Sequence, residues 1–182
     1  MTTGKAMLRS RWTEETESFQ MIKTKHTYTK LDASLSFRVG VTAAPVGPKL
    51  DRPGLVYEAT KEYAEADREI MLLIMVDAKN QMLSIETHSV GAVDNAAIYP
   101  REIFRSLLLK NASSFILVHN HPSGDPEPSF ADKEITRDVL QGAHVLGIKL
   151  LDHVILGRGC YFSMADKGLL ESFKLDYLSC KR

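Results

Sequence analysis

At 182 residues and 44% hydrophobic content, the chain can bury one sizeable core, which points to a single functional domain with an appendage. Lys and Arg number 23, as do Asp and Glu, so the net charge is zero. That argues against a protein held on DNA by a global positive field, while a local basic patch stays open. Two cysteines, Cys160 and Cys180, are too few for a disulfide scaffold; a bridge between them stays open, and a reduced, cytoplasmic setting is expected. No apolar run approaches a membrane span and no signal peptide opens the chain, so a soluble protein with no membrane partner is expected.

Residues 1–54 differ in character from the rest. Trp12 precedes a polar, Thr/Lys/Glu-rich run from Thr13 to Lys30, and Ser34 to Val41 alternates as a strand would, suited to a sheet edge. Pro45, Gly47, Pro48, Pro53 and Gly54 then read as linker. The expected division is an N-terminal arm, 1–54, followed by a catalytic domain, 55–182. Leu55 to Ala66 reads as a helix with Val56, Ala59, Tyr63 and Ala66 inward. Glu69 follows, and Ile70 to Val76 is continuously apolar, as in a central strand covered on both faces. Asp77 to Asn80 makes a turn from which Met82 to Val90 returns as the second strand of a hairpin, and Gly91 to Ala97 is a loop. Pro100 opens a helix that buries Ile103, Phe104, Leu107 and Leu108 and ends near Asn111. Phe115 to Val118 is a strand. Phe130 to about Leu146 is a helix with Ile135, Val139, Ala143 and Leu146 inward and Gly147 as its C-cap. Ile148 to Leu156 and Tyr161 to Ser163 complete the strands. The expected fold is α/β: one mixed sheet flanked by helices on both faces.

The chemistry concentrates between His119 and Asp132. His119 and His121 end a strand, and residues i and i+2 of an extended segment point to the same face, so both imidazoles reach one point. Ser129 is a natural N-cap, which puts Asp132 in the first turn of the next helix, facing the loop. Two imidazoles and one carboxylate with room for water form the ligand set of a catalytic zinc. The competing reading is a capping box in which Asp132 binds only backbone amides, beside solvated histidines.

The string His119-Asn120-His121-Pro122, six residues, then Ser129-Phe130-Ala131-Asp132 resembles the signature of the JAMM (MPN-type) metalloprotease superfamily. His119 to Pro126 with Pro128-Ser129 is similar to its RadC-like branch, as are Tyr99 to Phe104 and Leu151 to Ile155; the resemblance runs from about Val56 to Gly168. It implies a JAB/MPN-like fold with the layering of cytidine deaminases. It also implies His119, His121 and Asp132 as Zn2+ ligands, Ser129 as the oxyanion donor and an upstream glutamate as general base. Glu69 stands where that glutamate is expected, although Ile70 to Leu73 replaces the glycine that follows in the common peptidase pattern. Glu102, in the first turn of the Pro100 helix, is the alternative, and Glu86 is read as solvent-facing. Residues 1–54 do not resemble the helix-hairpin-helix region that precedes the catalytic domain in full-length RadC-like proteins.

Alternation puts Asp152 and His153 on opposite faces, so at most one looks into the site; His153 reads as a buried, hydrogen-bonded histidine or a support for a ligand. His88 and His144 are assigned to ordinary packing, and Ser123 and Gly124 to shaping the loop. The expected reaction is attack of metal-activated water on a peptide or isopeptide bond of a protein substrate. The rivals are a DNA-repair-associated nuclease or DNA-binding accessory, which needs clustered Lys and Arg, and a non-catalytic MPN scaffold, which needs no intact ligand set. Substrate identity and oligomeric state are left open.

Overall fold

A computed structural model describes residues 47–90 and 99–179. Every described residue belongs to one compact unit. The strand expected over Ser34 to Val41, the loop over Gly91 to Ala97, and Cys180 lie outside the described residues.

Five strands form one sheet in the order β2-β1-β3-β4-β5: β1 (Ile70–Val76), β2 (Met82–Val90), β3 (Ser114–Asn120), β4 (Lys149–Gly157) and β5 (Cys160–Ser163). β1 runs antiparallel to both β2 and β3, β3 and β4 are parallel, and β4–β5 is an antiparallel hairpin, so the sheet is mixed as the sequence predicts. The parallel pair requires a crossover, which α3 (Phe130–Leu146) supplies.

β1 and β3 are apolar without alternation because both their faces are covered. On one face Met71, Leu73, Met75, Phe115, Leu117 and Ile155 pack under α2 (Pro100–Leu109), α3 and α4 (Leu169–Ser179). On the other, Leu72, Ile74, Val76, Val118 and Leu156 pack under α1 (Pro53–Thr60) and the 3-10 turn Lys61–Glu65. Each fully buried Leu or Ile contributes about 1.5–3 kcal/mol relative to exposure. The segment just before residue 55 packs here too: the Gly47 amide donates to the Met82 carbonyl at 3.2 Å, and Leu50 lies in the core.

Three details differ from the sequence reading. The first helix does not continue to Ala66: Thr60 leaves the α-region, and its hydroxyl bonds back to the Val56 carbonyl at 2.8 Å. Its buried residues are accordingly Val56 and Thr60, followed by Ala64 of the 3-10 turn, while Ala59 is exposed and Ala66 has extended backbone. Leu108 and Leu146, expected inward, are exposed, because α2 buries only Ile103, Phe104 and Leu107 and the stripe of α3 ends at Ala143. The helix α4 was not anticipated; after Gly168 at φ +74° it buries Leu170 and Phe173 on the face that also carries α3.

Candidate metal centre

The β3 strand ends in His119 and Asn120, and His121 follows directly, so both imidazoles lie on the α3 side of the sheet. α3 brings Asp132 against them from above. Ser129 caps this helix in a reciprocal box: its hydroxyl accepts from the Asp132 amide at 3.1 Å, while Asp132 Oδ2 accepts from the Ser129 amide at 2.7 Å and from its hydroxyl at 2.6 Å. The capping reading is therefore correct as geometry, but it does not exhaust Asp132. Its Oδ1 lies 3.1 Å from His119 Nε2 and its Oδ2 lies 3.3 Å from His121 Nε2. Glu69, immediately before β1, places Oε1 3.7 Å from His119 Nε2, and one ligand atom from each of Glu69, His119, His121 and Asp132 lies within 4.8 Å of the others.

The outward bonds of the two histidines fix what faces inward. The Thr136 hydroxyl donates to the Asp132 carbonyl, one helical turn back, so its oxygen is left to accept from His153 Nδ1 at 2.6 Å. His153 Nε2 then accepts from His119 Nδ1 at 2.9 Å, and His119 Nε2 is left with a lone pair. His121 Nδ1 donates to the Asp125 carbonyl at 2.8 Å, and its Nε2 too is left with a lone pair. These two nitrogens sit 3.0 Å apart and both face a carboxylate. Acceptors this close repel one another unless a cation lies among them. Donors bound tetrahedrally to one zinc at about 2.0–2.2 Å are about 3.3–3.5 Å apart, close to the spacing here. The residues present thus fit a divalent metal.

Electrostatics agree. Burial alone would raise the Asp132 carboxyl, but in the metal-free protein protons on the facing His119 and His121 nitrogens, donated to it, hold it far below the ordinary carboxylate range. The hydrogen bond to Asp132 in turn raises the His121 imidazole, so without a metal a proton takes the cation's place. Burial, with His119 beside it, pushes His153 well below the usual histidine value, consistent with a neutral relay.

The remaining candidates fall elsewhere. Glu102 pairs with Arg101 at 3.2 Å and Arg105 at 3.0 Å on its own helix, and it is absent from the cluster. Glu86 lies 3.7 Å from Lys110. Asp152 points to the opposite face from His153, where it accepts from the Ser163 hydroxyl at 2.6 Å and the Ala165 amide at 2.9 Å. His144 stacks edge-on against Tyr177, and half-buried His88 is lowered by desolvation. Ser123 accepts from the Asp125 amide at 3.3 Å, and Gly124 adopts φ +86°, so both shape the loop. Thr136 was not singled out in the sequence; its signal is its position four residues after Asp132 on one helical stripe.

Residues 50–169 match the model of a family described as the RadC-like JAB domain. A UPF0758 protein of Caldanaerobacter subterraneus subsp. tengcongensis is 44% identical over 108 residues, covering 59% of this chain and 46% of that protein. One from Thermotoga maritima is 43% identical over 122 residues, 67% of this chain and 55% of its own. One from Methanosarcina mazei is 40% identical over 124 residues, 68% and 54% respectively. The chain spans about half the length of the curated relatives it matches. No helix among the described residues is long and apolar enough to cross a membrane.

Proposed function

The chain belongs to the RadC-like JAB domain family, and from that premise we propose that it is a zinc-dependent hydrolase of a peptide or isopeptide bond. The observation that carries the reading is the meeting of two imidazole lone pairs and a carboxylate at one point, with both tautomers fixed by outward hydrogen bonds. His119, His121 and Asp132 would hold the metal. Bound there, zinc supplies Lewis-acid polarisation of a carbonyl and acidifies water near neutral pH.

The chain's own groups do the rest. Glu69 is the most exposed of the four, with its side chain 39% accessible, and it can meet both substrate and solvent. It takes the proton from the attacking water and returns it to the departing amine. The Ser129 hydroxyl, at the exposed start of α3, turns from Asp132 Oδ2 to donate to the developing oxyanion. Its loss then costs both the cap and part of the rate.

Elemental analysis of purified protein, beside His119→Ala and Asp132→Ala, tests the reading. The expected result is about one zinc per chain, lost in both variants while far-ultraviolet circular dichroism is retained. A wild type that holds no zinc after reconstitution overturns it. Zinc-loaded protein that leaves quenched peptides and isopeptide-linked conjugates intact, yet cuts DNA, redirects it to a nuclease.

A further inference from the structure

We propose that Asn120, between the two histidines, is a positioning residue for Glu69; the inference rests on the reading of Glu69 as the proton-transfer group. The backbone ladder between β1 and β3 ends at the Met71–His119 pair. One residue further the Asn120 side chain takes over. Its Oδ1 accepts from the Ile70 amide at 2.8 Å, and its Nδ2 donates to the Arg68 carbonyl at 3.0 Å. The two backbone groups it grips are those on either side of Glu69.

Glu69 needs such a grip. It lies between the 3-10 turn that ends at Glu65 and the start of β1 at Ile70, in a stretch without regular structure. Its carboxylate stands 3.7 Å from His119 Nε2, beyond hydrogen-bond range, so its place is set by its backbone and not by a bond to its oxygens. Asn120 is fully buried, so its amide exchanges these bonds with no water. Only a carboxamide suits both partners, since one needs an acceptor and the other a donor. An isosteric Asp keeps the bond to Ile70 but sets a carboxylate against the Arg68 carbonyl. His119 and His121 project to the metal from either side of this residue, so one tripeptide ties the ligands and the base into one rigid unit.

The test uses Co2+ as a spectroscopic probe in the full chain, with wild type, Glu69→Gln, Asn120→Ala and the double variant. Cobalt stoichiometry and affinity are measured, together with the pH midpoint of the visible absorption change. Asn120→Ala is expected to keep one Co2+ per chain with affinity within about tenfold of wild type, below the roughly 10–100-fold that marks a lost partner of a ligating side chain. Its midpoint is expected to move in the same direction as that of Glu69→Gln, and the double variant to move no further than Glu69→Gln alone. A wild-type midpoint in Asn120→Ala, additive shifts in the double variant, or outright loss of Co2+ overturns the inference while leaving Glu69 in its role. A wild type that takes up no Co2+, or a Glu69→Gln midpoint that does not move, removes the underlying reading and the inference with it. If Asn120→Ala does not fold, Asn120→Asp replaces it with the same criteria.

Discussion

His119 and His121 are two residues apart and face one point, yet the protein holds them by opposite means. His119 is buried within the sheet, and its ring is fixed by side chains: His153 from β4, and behind that Thr136 from α3. His121 lies just past the strand, partly exposed, and its ring is fixed by a backbone carbonyl, that of Asp125. The loop that presents this carbonyl is held by its own turns, with the Gly124 amide bonded to the His121 carbonyl at 2.8 Å and Asp125 Oδ1 accepting from the Glu127 amide at 3.0 Å, and by the Arg158 amide between β4 and β5, which donates to the Gly124 carbonyl at 3.0 Å. One imidazole is therefore part of the core, where disturbance is felt by the whole fold. The other rests on a loop outside the core, held by its turns and by the segment between β4 and β5.

Breaking the deep support should have the larger effect. If the proposed zinc site holds, His153→Leu removes the acceptor that fixes His119 in its tautomer, and zinc affinity falls about 10–100-fold, as for other second partners of ligating histidines. Competition with a chromophoric chelator measures it. The same change leaves the buried His119 Nδ1–H without its acceptor and the Thr136 oxygen without its donor, so the metal-free protein should lose about 1–3 kcal/mol in urea unfolding. Wild-type affinity in this variant would mean that His119 needs no fixing from behind.

The same pair of proteins carries a pH prediction. The folded His153 is depressed well below its ordinary value, chiefly by burial. Its contribution is therefore present above the unfolded value and lost as pH falls through it, since the unfolded chain then binds a proton that the folded chain refuses. In chelator, the stability gap between wild type and His153→Leu should narrow by about 1.4 kcal/mol per pH unit below roughly pH 6. A gap constant from pH 8 to pH 5 would show that folded His153 takes up the proton and is no neutral relay.

This contrast also marks what the sequence made legible. β1 stands where the unbroken run Ile70 to Val76 puts it, and the crossover from β3 through α3 to β4 follows from strand, loop and capped helix in order. His119, His121 and Asp132 converge as i, i+2 geometry and the Ser129 cap imply. The supports were harder to see. Whether His153 faced the site depended on strand parity and on which face α3 covers, and neither is local to Asp152-His153. Thr136 looks like any helical threonine until β4 places a ring against it. Asn120 reads as a spacer between histidines, because its partners are 50 and 52 residues away in sequence. The end of α1 was misjudged for a local reason: Thr60 can satisfy a carbonyl of its own helix, a choice that apolar periodicity does not register.

Disturbing the shallow support should have the smaller effect. Gly124 has φ +86°, and a Cβ there would stand 2.8 Å from Cγ and 3.0 Å from Cδ of Arg158, so the root of that side chain must shift as well. Gly124→Ala should therefore cost about 1–2 kcal/mol of backbone strain, with the displacement of Arg158 added to it. Because the Asp125 carbonyl belongs to the backbone and survives the substitution, the affinity of the proposed zinc site should fall by less than the roughly tenfold that marks a lost second partner. Chelator competition on Gly124→Ala beside His153→Leu decides the matter. If the glycine variant loses zinc as completely as the histidine variant, the loop is as rigid as the core, and the ordering of the two supports fails.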